Sequence, residues 1–171
     1  MPKQMIERGT EEMENVKSLS LDGVKTMEEK KLVGFRVVGG DIADFQEEIP
    51  KASLKLAQRE KEIKHLVEPI KLIGAFKASE TSEEDDGYWS CFEVHDFEEI
   101  PEGMVKLTVP LQKYAVLNFT GRASEIHRVY DHLHQWIHEN GHKRTPDKWT
   151  LEIYSKWTEN EDIVDLCDPV L

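Results

Sequence analysis

The sequence contains few cysteines, only Cys91 and Cys167 in 171 residues, and their spacing matches no metal-ligand pattern. A disulfide or metal framework is therefore excluded as the organising principle. No secretory signal is evident, so the two cysteines are expected to be reduced thiols in a cytoplasmic protein. No apolar run approaches a membrane span, and no membrane partner is expected. A glycine-rich phosphate loop, Gly-x-Ser-x-Gly and Cys-x-x-Cys are all missing. Val37-Val38-Gly39-Gly40-Asp41 ends a strand pattern, but no further glycine follows at dinucleotide-binding spacing. No cofactor is expected.

Basic residues are missing from one long stretch. Between Glu80 and Glu102 stand ten acids and no Lys or Arg, and the chain carries a net charge of −12, so nearly the whole excess lies there. Such a surface repels phosphate backbones and argues against direct nucleic-acid binding. It favours a cationic ligand, and as a solvated loop it also favours solubility. A chain of this length buries about two-thirds of its unfolded surface without a staple, which suits one domain or two small halves sharing a core.

What is present is a repeat. Residues 1–26 are charged and mixed in sign, and "IERGTEEMENVKS" reads as a short helix or a loose arm. "KLVGFRVVGG" reads as a strand. "DFQEEIPKASLKLAQREKEIKHLVEP" reads as a helix with Pro50 in its first turn and a stripe of Leu56, Ile63, Leu66 and Val67. "IKLIGAF" and "GYWSCFEVHDF" read as strands, and "IPEGM" as a turn. A second set follows: strand "KYAVLNFTG", then helix "SEIHRVYDHLHQWIHENG", capped by Ser124 and closed by Gly141. Its apolar positions 126, 129, 130, 133, 136 and 137 form one stripe. Strands "WTLEIYSKW" and "EDIVDLCDPVL" complete the set. Strand–helix–strand–strand thus occurs twice, over about 27–97 and 105–171. This predicts an α+β fold of duplicated βαββ units, with helices on one sheet face and a ligand cleft between the halves.

Two clusters invite a chemical reading. His127, Asp131, His134 and His138 share a narrow sector of the second helix, as metal ligands would. That sector lies far around from the apolar stripe, so these residues are expected to face water and hold no functional metal. His65 and His95 show no partner. In "WTLEIYSKW", Leu151 and Ile153 alternate with Glu152 and Tyr154. If the first pair packs on the helices, the second projects into the cleft. From the residues alone Glu152 is either an edge-strand glutamate in water or a charge kept for function. A functional carboxylate there would hold a cation, or act as a general acid/base with a raised pKa.

The stretches "GFRVVGG", "IPKASLKLA", "YWSCFEVHDFEEIPEGM", "VPLQKYAVLNFTG", "VYDHLHQWIHENG", "WTLEIYSKW" and "VDLCDPV" carry a resemblance in their order and spacing. Over about residues 27–171 the chain resembles the GyrI-like, or AraC-type effector-binding, small-molecule-binding domains. The resemblance implies a duplicated βαββ fold with a pocket between the repeats, binding lipophilic, often cationic or aromatic molecules. It places the pocket glutamate at Glu152, with Tyr154 beside it. The pocket aromatics fall on Trp89 or Tyr88, and a second strand glutamate on Glu93. Two departures reshape the pocket: Ala52-Ser53-Leu54 stands where the family has a bulky aromatic, and Cys91 replaces a glycine. The chain looks like the stand-alone class, without a fused DNA-binding domain. Its members include drug sequesterers, gyrase modulators acting on a protein partner, and hydrolases of cyclopropane-bearing electrophiles. A hydrolase would use Glu152 and Tyr154 as its catalytic pair. The preferred expectation is a binder of small hydrophobic or cationic ligands, with Trp89 and Tyr88 as stacking faces and the acidic loop as a steering rim.

Overall fold

The computed structural model describes residues 16–79 and 82–171. The part of the helix-or-arm expectation that falls on residues 1–15 lies outside them. Eight strands among the described residues form one sheet: β1 (Val16–Met27), β2 (Lys30–Val37), β3 (Leu72–Lys77), β4 (Tyr88–Val94), β5 (Val105–Val109), β6 (Gln112–Gly121), β7 (Trp149–Trp157) and β8 (Asp162–Pro169). Two α-helices join them, α1 (Ile42–Gln58) and α2 (Ile126–Glu139). No described helix is long and apolar enough to cross a membrane.

The strand order is β1-β6-β8-β7-β3-β4-β2-β5, and every neighbouring pair is antiparallel. It reads symmetrically outward from the central β7–β3 pair. The units β2-α1-β3-β4 and β6-α2-β7-β8 are the duplicated βαββ expected from the sequence. The edge strands are exchanged: β1 precedes the first unit but pairs with β6, and β5 precedes the second but pairs with β2. Residues 16–26 are therefore a paired strand and not a helix or arm. Leu19 and Leu21 pack on the core of the second unit, and a register shift before Gly23, at φ +84°, turns Val24 to the same cluster. The strand β5 was not legible as such, being only five residues long.

Both helices lie on one face. Val129, Leu133 and Ile137 of α2 pack fully buried on Leu117, Phe119, Val164 and Leu166, each such side chain contributing about 1.5–3 kcal/mol. Leu56 of α1 packs with Val33, Leu72 and Phe92. The other face carries no helix. Its apolar cluster joins Ile73, Ala75, Trp89, Cys91, Leu151 and Cys167 to both ends of the strand order, Val109 of β5 and Met27 of β1. The sheet thus folds its helix-free face onto itself. Leu151 lies there, with Ile153 packed against the same cluster, while Tyr154 packs with the helix-side clusters. The alternation along β7 is as read, but the faces are reversed: Glu152 and Tyr154 point to the helices. The reason is that a curled sheet buries its helix-free face as thoroughly as the other.

The helix bounds also differ from expectation. Gly39 and Gly40 adopt positive φ, and Asp41 then forms a capping box with Asp44. The helix therefore begins well before Pro50, which lies inside it. It ends at Gln58, followed by a short 3-10 turn, and Leu66 bridges Val94 as extended chain. Ser124 lies in a 3-10 turn before α2 and makes no cap bond. Gly141, at φ +74°, follows the helix end as expected.

Candidate functional site

α1 and α2 present their N-terminal halves to one another across the β3–β7 centre of the sheet. Between them opens a cleft of about 750 Å³, within the usual range for small-molecule sites. Ile42, Phe45 and Ile49 of α1 form one wall, and Ile126 and His127 of α2 the other. Phe76, Tyr88, Glu152 and Tyr154 from three strands form the floor, and Lys77, Asp86 and Gly87 its edge. Ile42 is 76% exposed although it faces the cleft.

Glu152 is the buried charge at the centre, 6% exposed. Its Oε1 accepts a hydrogen bond from the Tyr88 hydroxyl at 2.6 Å and a longer one from Tyr154 at 3.4 Å. Its Oε2 accepts from the Tyr130 hydroxyl at 2.8 Å. Burial raises the carboxyl above its ordinary range, and the three hydroxyls oppose that shift by favouring the charged form. All three phenols are held well above their ordinary value, first by burial and then by the negative charge of Glu152. They therefore stay protonated and serve as donors. The Tyr88 ring stacks on Phe76 at 5.8 Å, and Tyr130 meets Phe76 edge-on at 6.5 Å. The arrangement is a carboxylate in an aromatic cage, open on one side to an apolar cleft.

Of the residues singled out in the sequence, the fold brings Glu152, Tyr154 and Tyr88 together. It does not bring Trp89 or Glu93. Trp89 neighbours Tyr88 on β4 and so points to the helix-free face, where it is 3% exposed and meets Trp149 edge-on at 5.1 Å. It offers no stacking face to the cleft. Glu93 lies on the same side of β4 and pairs with Lys30 at 3.6 Å. Cys91 is likewise fully buried on that face, so its presence does not reshape the cleft.

Two site residues escaped the sequence reading. Tyr130 was counted only as apolar stripe, although a buried hydroxyl needs a partner, and that need was the available signal. Phe45 falls inside the helix read from the sequence, but the apolar stripe counted there, Leu56, Ile63, Leu66 and Val67, does not include it. Phe45 stands one turn after Asp41 and lines the cleft.

The histidines of α2 are not one surface group. His127 is exposed at the cleft edge. His134 lies 3.2 Å from the buried Asp168, which also accepts from Arg144 at 2.7 Å. The expectation that His134 faces water is thus corrected: α2 packs along β8 and brings it to Asp168. No group of three His, Cys, Asp or Glu among the described residues is placed to hold a metal ion. His65, read as lacking a partner, contacts Glu98 at 2.5 Å.

A family model for integron-associated effector binding proteins matches residues 24–169. No curated protein matches the chain. Among solved structures the chain is similar to the C-terminal domain of EcmrR, with TM-score 0.66 at 18% identity, over 90% of this chain and 97% of that one. It is similar to SAV2435 bound to tetraphenylphosphonium, with TM-score 0.66 at 13% identity, over 89% and 94% of the two chains. An integron cassette protein from the mobile metagenome of Vibrio cholerae gives TM-score 0.57 at 16% identity, over 89% and 99%. Against the whole EcmrR chain, in its complex with DNA, 98% of this chain aligns but spans only 62% of that one. At these identities the likenesses establish the fold.

Proposed function

The chain belongs to the family of integron-associated effector binding proteins, and we propose that its cleft binds lipophilic cations, with Glu152 as the counter-charge and the tyrosines and Phe45 as the apolar and aromatic surround. The observation that carries this reading is the position of Glu152. It is a buried carboxylate whose hydrogen bonds from the described residues come from neutral hydroxyls, at the floor of a cleft walled by Ile42, Phe45, Ile49 and Ile126.

A buried ion without a compensating charge costs several kcal/mol. A cation at about 5 Å, in an effective dielectric of about 20, returns roughly 3 kcal/mol. A contact between the cation and an aromatic face adds about 0.5–2 kcal/mol. A diffuse cation is favoured over a compact one, because it loses less hydration on entering apolar walls. The tetraphenylphosphonium in the similar SAV2435 structure is a ligand of this kind. Asp86 at the cleft edge, with Glu83 and Glu84 nearby in the chain, gives the mouth a negative potential that draws cations inward.

The test is calorimetric titration of tetraphenylphosphonium into the wild type and Glu152→Gln. The variant keeps the side-chain size and removes the charge. Affinity should fall about tenfold to a hundredfold, equivalent to about 1.4–2.8 kcal/mol. Equal affinity in both proteins would remove Glu152 from the role. Repeated turnover of an electrophilic ligand, lost in the Gln variant, would make the protein a hydrolase and not a binder.

A further inference from the structure

The cleft residue Tyr88 is held from the far side of the sheet. Arg36 of β2 lies opposite Trp89 in the β2–β4 register, so both side chains project to the helix-free face. The Arg36 guanidinium stacks over the Trp89 ring at 4.6 Å. From there it donates to three carbonyl contacts in the loop before β4: Nε to Asp86 O at 3.0 Å, Nη2 to Asp86 O at 2.7 Å and Nη2 to Glu83 O at 2.5 Å. The arginine is thus engaged by backbone in a loop rich in carboxylates. Lys77 of β3 secures the same loop through Asp85 at 2.7 Å and lies over the Trp149 ring at 5.0 Å.

The loop leads directly into the site. Gly87 has φ +105°, and a Cβ there would meet Val37 O at 2.4 Å, so the chain passes tightly against β2 and turns. The next residue is Tyr88, whose hydroxyl reaches Glu152. Tyr88 stands two residues after Asp86, and only the two backbone dihedrals of the tightly packed Gly87 separate the anchored Asp86 carbonyl from the peptide unit that enters Tyr88.

We infer that Arg36, which does not itself line the cleft, is a positioning residue for ligand binding: stacked on Trp89, it anchors the carbonyls of Glu83 and Asp86 and thereby holds the Tyr88 hydroxyl on Glu152. The inference rests on the proposed binding role for its ligand consequence, but its structural core does not. The groups facing Glu152 are Tyr88 from β4, Tyr130 from α2 and Tyr154 from its own strand, with Asp162 on β8 and Lys77, Asp86 and His127 around the cleft. Only the Tyr88 bond depends on Arg36. Losing one donor to a carboxylate disfavours its charged form.

The experiment uses the full chain with Arg36→Met, Tyr88→Phe and the pair combined. Methionine keeps apolar cover on Trp89 and removes the donors. Carbon-13 NMR of the Glu152 carboxyl, in ligand-free protein, should show its titration midpoint raised by each single variant. The double variant should be no higher than Tyr88→Phe, because the two changes remove the same bond. Arg36→Lys should restore part of the shift, since it keeps one charged donor but not the fork. Tetraphenylphosphonium affinity at neutral pH should fall in Arg36→Met by about threefold to tenfold, the net worth of one typical intramolecular hydrogen bond. An unchanged Glu152 midpoint in Arg36→Met, or fully additive shifts in the double variant, would overturn the inference. If the midpoints move as expected but no variant, nor the wild type, binds the cation, the anchoring stands and the proposed ligand class falls.

Discussion

Gly74 and Glu152 face one another across the central β3–β7 pair, and the hydroxyl of Tyr88 occupies the space above Gly74. A Cβ at that position would lie 1.8 Å from the Tyr88 oxygen and 2.4 Å from its ring. The missing side chain of Gly74 is thus what lets a tyrosine from β4 reach across β3 to a carboxylate on β7. Gly74→Ala should displace the Tyr88 ring and break the 2.6 Å bond. Overpacking of this kind costs about 1–3 kcal/mol, and cation affinity should drop together with stability. Chemical denaturation and ligand titration of the variant check both; an alanine tolerated without loss in either would show that Tyr88 is not placed by this gap.

Acidification should affect stability and binding in opposite directions. Burial raises the folded pKa of Glu152, and raises that of Asp162 to about 6. For a carboxyl raised in the folded state, the stabilising contribution is fully present below its unfolded pKa. It is lost as pH rises through its folded pKa. Ligand-free protein should therefore gain stability from these two groups as pH falls from about 7 toward 4. Protonating Glu152 removes the counter-charge, so cation affinity should fall over the acid range. The informative quantity is the difference between wild type and variant. Denaturation across pH should show Asp162→Asn losing the part of the slope that lies between about 4 and 6; parallel curves would exclude Asp162 as its source.

The sequence made the repeat legible because it rests on period and punctuation. The apolar stripe of α2 at 126, 129, 130, 133, 136 and 137 needs no tertiary knowledge, and neither does the alternation along β7. Glu152 could be singled out because a carboxylate between buried neighbours demands an explanation. The side of the sheet it faces was not legible. Alternation fixes which residues share a face but does not say which face carries helices, and the strongly apolar Leu151 and Ile153 suggested the wrong one. The resemblance offered both Trp89 and Tyr88 as stacking faces, although alternation along β4 allows only one of the two to be in the cleft. The pairing of β1 with β6 and of β5 with β2 is a long-range choice that strand propensity does not encode. Tyr130 was hidden by its own regularity, since a tyrosine at a stripe position looks like core until the partner of its hydroxyl is known.

Asp168 offers a change remote from the cleft. Its side chain is 1% exposed and is compensated by Arg144 at 2.7 Å and His134 at 3.2 Å. The same region ties down the chain end through Thr145 N to Pro169 O and the Arg144–Val170 bridge. Arg144→Met leaves a buried carboxylate with His134 alone. Removing one partner of a buried pair costs about 3–5 kcal/mol, less where the partner is in contact with water, as Arg144 is at 33% exposure. A loss of about 1–3 kcal/mol is expected on that basis, read as a lower denaturation midpoint. Cation affinity at a temperature where the variant remains folded should be unchanged. A variant as stable as the wild type would mean that His134 alone compensates Asp168.

The last prediction separates the apolar from the electrostatic part of the site. Phe45 stands on the solvent-facing first half of α1, lines the cleft and is only partly buried. It lies outside the main core clusters, so Phe45→Ala removes little folded-state packing and its cost in stability should be small. A bound ligand would cover the ring, and losing that contact removes apolar burial worth about 25 cal/mol per Å². For some 60 Å² of lost contact this is about 1.5 kcal/mol, roughly tenfold in affinity. The loss should be the same for a lipophilic cation and for a neutral aromatic of similar size, because Phe45 carries no charge. Glu152→Gln should behave in the opposite way, weakening the cation strongly and the neutral ligand little. Titrating both ligands into both variants gives four affinity ratios. If Phe45→Ala discriminates between the ligands as strongly as Glu152→Gln does, the attraction is not centred on the carboxylate, and the cleft recognises cations through its aromatic walls instead.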